Sequence, residues 1–108
     1  MRIMLAMDRL AMLQEILAEN PADAFARYGL ALEYSNRGET ETALAEFAKL
    51  LAAHPDYTAG YFMAAQTLAR AGRNDEAKQM LRDGIASAQR TNNQHALSEM
   101  QQMLDELG

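Results

Sequence analysis

A period of 34 residues runs through this chain and restricts its fold more than any other feature. Gly38 and Gly72 stand 34 apart, as do Ala31 and Ala65, Tyr34 and Leu68, Ala43 and Ala77, Phe47 and Leu81, and Leu51 and Ile85. The period reaches further back: Pro21 precedes Pro55 by the same 34 residues, which sets Leu13 and Leu17 opposite Phe47 and Leu51. A fixed period of this length means one supersecondary unit used repeatedly, each unit burying its apolar face against the next. The matched residues have physical roles. The glycines can take the left-handed conformation that ends a helix. Pro55 cannot continue a helix and disfavours α geometry at His54. The four alanines are small where paired helices must approach closely.

Breaks at Asn20-Pro21, Arg37-Gly38, His54-Pro55, Ala71-Gly72 and Arg90-Thr91-Asn92-Asn93 leave six segments of helical length and period. The first runs to Glu19, with Leu10, Leu13, Ile16 and Leu17 as its stripe. The second spans Ala22 to Arg37. The third carries Ala43, Leu44, Phe47, Leu50 and Leu51. The fourth carries Tyr61, Phe62, Ala65, Leu68 and Ala69, and the fifth Ala77, Met80, Leu81, Gly84, Ile85 and Ala88. Leu97, Met100, Met103, Leu104 and Leu107 mark the sixth. Thr40, Asp56 and Asn74 are placed to cap the third, fourth and fifth. The chain has no Val and no Trp, and helix formers dominate, so the class is all-α. With 108 residues it makes one domain, and turns this short force neighbouring helices to run antiparallel.

A helix–turn–helix unit of this period resembles the tetratricopeptide repeat. Leu30-Ala31, Tyr34, Gly38, Ala43, Phe47, Leu51 and Pro55 fall where that family's pattern wants them. Tyr61, Ala64-Ala65, Leu68, Gly72, Ala77, Leu81 and Ile85 repeat the pattern. Two positions depart from it. Arg27 stands where the family often has Trp, and Gln89 stands where the closing Pro would fall, so the fifth helix is expected to run on for a turn. The resemblance implies a right-handed superhelix in a single domain over 1–108. Its parts are a half-repeat helix (1–21), repeat one (24–57), repeat two (58–91) and a capping helix (92–108).

The resemblance also implies a function. The family mostly binds peptides or partner proteins on a concave face lined by the first helix of each repeat. Its groove positions fall here on Phe25, Tyr28, Leu32 and Asn36, and on Phe62, Gln66, Ala69 and Arg70. Aromatic anchors in such a groove suit an apolar segment. The competing expectation is that Tyr28, Leu32 and Phe62 pack against the sixth segment or between helices. Members that clamp a peptide carboxylate use Lys, Arg and Asn; the corresponding positions here are Tyr28, Leu32, Met63, Asn93 and Leu97, which supply no cation. The first segment has more apolar residues than one neighbour can cover. Ile3, Met4 and Met7 are the surplus, and they read either as a homodimer face or as an exposed terminus.

Chemistry and other partners find little support. There are 0 Cys and 2 His, the histidines lie 41 apart, and no metal-ligand spacing or phosphate loop exists. No catalytic residue, metal or cofactor is expected. The net charge of −5 argues against nucleic acid. The five bases of residues 58–90 interleave with acids, as on a solvated face, although such a strip would also suit an acidic partner. Asp8 ends the first apolar run, which is too short for a signal or membrane segment, so a cytoplasmic protein is expected.

Overall fold

Each break in the apolar period becomes a turn. The computed structural model describes residues 5–108, with side chains from Arg9 onward. Its helices are α1 (Leu5–Glu19), α2 (Ala24–Asn36), α3 (Thr40–Ala53), α4 (Thr58–Arg70), α5 (Asn74–Arg90) and α6 (Gln94–Leu107). Successive helices pack as antiparallel neighbours. In the α1–α2 pair, Arg9 meets Glu33 and the Leu13 side chain lies over Gly29.

The turns explain the spans. Gly38 and Gly72 both have φ 78°, and after each the chain makes the same closing bond: Glu39 N–H donates to Tyr34 C=O and Arg73 N–H to Leu68 C=O. The α5–α6 turn uses the same device with a different residue. Asn92 has φ 55°, and Asn93 N–H donates to Ala88 C=O. Asparagine tolerates this region because its short polar side chain bonds locally. With no proline to stop it, α5 runs on to Arg90 and is 17 residues long, against 14 for α3.

The capping expectations need correction. Thr40 and Asn74 are the first helical residues of α3 and α5, and the residues before them, Glu39 and Arg73, make no side-chain cap. Asp56 lies one residue too early to cap α4 and instead accepts from Arg90, 2.7 Å away. The side-chain caps are Asp23, accepting from Ala26 N–H, and Asn93, accepting from Ala96 N–H.

Three apolar clusters hold the stack together. Leu17, Ala26 and Leu30 join α1 to α2. Ala31, Ala43, Phe47, Leu50 and Ala64 join α2, α3 and α4. Tyr61, Ala65, Leu68, Ala77, Leu81, Ala88 and Met100 join α4, α5 and α6. Ala31, Ala43, Ala65 and Ala77 are all 0% exposed, as close approach requires. Gly84 permits the closest approach: a Cβ there would lie 2.5 Å from Met100 Sδ and 2.6 Å from Tyr61 Cβ.

Polar ties clasp each repeat. His54 Nε2 lies 3.1 Å from Ala22 C=O, joining the end of α3 to the loop before α2. Arg90 and Asp56 join the end of α5 to the loop before α4 in the same way. The buried Thr58 and Ser87 hydroxyls satisfy each other at 2.9 Å.

Candidate functional site

α2, α4 and α6 line one face of the stack. α6 packs against α5 and touches α4, as α4 packs against α3 and touches α2. It therefore forms a third wall beside α4. Two cavities lie along this wall. One, of ≈ 230 Å³, is bounded by Tyr28 from α2, Phe62 and Met63 from α4, and His95, Ala96 and Glu99 from α6. The other, of ≈ 240 Å³, lies between Phe62 and Gln66 on α4 and Glu99, Gln102, Met103 and Glu106 on α6. Phe62 and Glu99 border both, so the two cavities are neighbours along the crevice between α4 and α6.

The groove residues expected from sequence separate into groups. Tyr28, Phe62 and Gln66 come together at the crevice. The Tyr28 ring also sits 5.3 Å from that of Tyr57, tilted by 47°. Burial, then the neighbouring Tyr57, pushes the Tyr28 phenol above the ordinary tyrosine range. Burial, then Asp23, does the same at Tyr57, so both rings stay neutral and present aromatic surface. Leu32 packs into the α2–α3–α4 cluster and Ala69 into the α4–α5–α6 cluster. Arg70 turns towards α2, where Nη2 donates to Ser35 Oγ at 2.8 Å, and Ser35 in turn meets the buried Thr67 hydroxyl. Asn36 is exposed at the end of α2. Phe25 is 76% exposed and borders neither cavity.

Glu99, Gln102, Met103 and Glu106 also line the cavities; the sequence alone assigns them no groove position, because the sixth segment is expected as a capping helix. Strict alternation of first and second helices would have made it a groove helix. Asn93, considered as a hydrogen-bonding groove residue, spends its side chain on the α6 cap. Ile3 and Met4 lie outside the described residues, as does the side chain of Met7. Among the described residues no group of His, Asp and Glu could hold a metal ion, and no helix is long and apolar enough to cross a membrane.

Two family models, both described as tetratricopeptide repeat, match residues 34–100 and 6–61. The chain belongs to the tetratricopeptide repeat family. A tetratricopeptide repeat domain protein from Salinibacter ruber is 33% identical, over 82% of this chain and 89% of that one, with a TM-score of 0.76. YrrB, described as a tetratricopeptide repeat protein with an unusual peptide-binding site, is 25% identical; the match covers 85% of this chain and 46% of YrrB, with a TM-score of 0.72. The type III secretion translocator chaperone SycD of Yersinia enterocolitica has a TM-score of 0.85 over 94% of this chain and 78% of its own. At 16% identity SycD shares the fold alone. No curated protein sequence matches the chain.

Proposed function

We propose that the chain is a non-catalytic protein-interaction module that holds a peptide or protein segment in the crevice between α4 and α6. The observation that carries this reading is Phe62. It is half-buried against the core, yet borders both cavities, and so offers a rigid aromatic surface to a ligand on either side. Tyr28 and Gln66 complete the contact surface. Phe25, Leu32, Asn36, Ala69 and Arg70 belong to the same face outside the crevice. The peptide-binding site described for YrrB supports the reading by analogy. Phe62→Ala is expected to weaken a captured partner by roughly tenfold or more while circular dichroism keeps its helical signal. A large loss of helicity would assign Phe62 to the core instead.

A second reading is a homodimer through the N-terminal helix, and one observation favours it. Ile16 stands 34 residues before Leu50 in the repeat. Leu50 is 0% exposed, whereas Ile16 is 38% exposed and Met12 55% exposed. Leu50 lies in the cluster that both α2 and α4 close over α3, whereas among the described residues α1 packs against α2 alone. Ile3, Met4 and Met7 belong to this second proposal from sequence alone. It predicts a concentration-dependent dimer by sedimentation that Ile16→Glu abolishes. A monomer at high concentration would rule it out.

A further inference from the structure

The charge of the crevice comes almost wholly from one wall. α6 contains Glu99, Asp105 and Glu106 and neither Lys nor Arg. Glu99 and Glu106 both line the crevice. Among the described residues Glu99 meets only the exposed imidazole of His95, at 3.5 Å, and Glu106 accepts from the Gln102 amide at 3.4 Å. α4 offers no counter-charge inside the crevice. Its one ionisable cation, Arg70, is turned away to Ser35. The floor is aromatic and thioether, from Tyr28, Phe62, Met63 and Met103.

From this complementarity we infer that the occupant is a cationic, apolar peptide segment: an aliphatic or aromatic side chain enters the cavity at Tyr28, Phe62 and Met63, and Lys or Arg side chains reach Glu99 and Glu106. The inference rests on the groove reading above. The spacing is set by α6. Glu99 and Glu106 lie two helical turns apart on one face, about 10 Å at ~1.5 Å per residue. A polyproline II segment rises about 3.1 Å per residue with roughly three residues per turn, so two cations about three residues apart fall on one face at a matching spacing, the first beside the anchor. Charge at this rim acts through water, so binding weakens as salt rises.

The test is an array of randomised synthetic peptides, about ten residues each, probed with the full chain. The variants are Glu99→Gln/Glu106→Gln, Phe62→Ala, and Gln102→Trp, which fills the crevice from an exposed position and keeps the test valid if Phe62→Ala fails to fold. Captured peptides are expected to pair an apolar residue with Lys or Arg. They should bind roughly tenfold more weakly to the double glutamine variant and lose binding to Gln102→Trp. Neutral or acidic peptides that Gln102→Trp blocks but the glutamines leave unchanged would overturn the inference and leave the groove standing. Peptides indifferent to Phe62→Ala and Gln102→Trp would overturn both. A dimer by sedimentation that Gln102→Trp dissolves would make a second copy the occupant, and would also overturn the inference.

Discussion

At the residue scale, the repeat keeps contacts even where it changes side chains. Arg27 occupies the position where the family often has Trp, and Tyr61 occupies it one repeat later. Both reach the equivalent proline carbonyl just before their own repeat: Arg27 Nη2 donates to Pro21 C=O at 3.2 Å, and Tyr61 OH donates to Pro55 C=O at 2.6 Å. Arg27 adds an ion pair to Glu46 at 2.6 Å, with both side chains largely covered, so it joins α2 to α3 by charge where an indole would do so by area. Gly84 shows the opposite case, a residue whose identity is fixed by its neighbours. Helix propensity favours Gly84→Ala by up to about 1 kcal/mol. The added methyl, however, would meet Tyr61 Cβ, which cannot swing away because it is attached to the α4 backbone. Overpacking of this kind costs roughly 1–3 kcal/mol. Gly84→Ala is therefore expected to lower the melting temperature by several degrees, about 4–8 °C per kcal/mol for a domain of this size. An unchanged or raised melting temperature would show that α4 and α5 have room to spare.

At the scale of the element, the turns carry the stop signals. Asn92 does for α5 what Gly38 and Gly72 do for α2 and α4. An alanine in the left-handed region costs roughly 1–2 kcal/mol, whereas glycine pays no such steric cost. Asn92→Ala should destabilise the chain by about that amount in urea melts, and Asn92→Gly should stay near the parent. Equal stability for the two variants would contradict the assigned turn. The helices were legible from sequence because glycine and proline punctuate strongly and the apolar stripes between them are regular. The caps were less legible, because a shift of one residue decides whether Asp56 caps α4 or pairs with Arg90. The groove wall was missed for a related reason. The extra turn of α5 breaks the 34-residue register, so matching by period alone could not carry groove positions onto α6.

At the scale of the whole molecule, α2, α4 and α6 follow one another along one side of the stack. Its groove residues double as core residues: Leu32 and Ala69 pack inward, and Phe62 does both. The proposed recognition surface is correspondingly short, confined to the α4–α6 crevice beside Phe62. The opposite side also has a depression, of ≈ 470 Å³, floored by Leu44, Leu68 and Met80 and flanked by the Glu41–Arg73–Glu76 ion pairs. That feature makes the central claim testable by location. The most direct measurement is amide chemical-shift mapping of the labelled chain titrated with a peptide captured by the wild-type protein. Shifts concentrated at Tyr28, Phe62, Gln66 and residues 95–106 are the predicted result. Shifts concentrated instead at Leu44, Arg73 and Met80, with the crevice silent, would contradict the account.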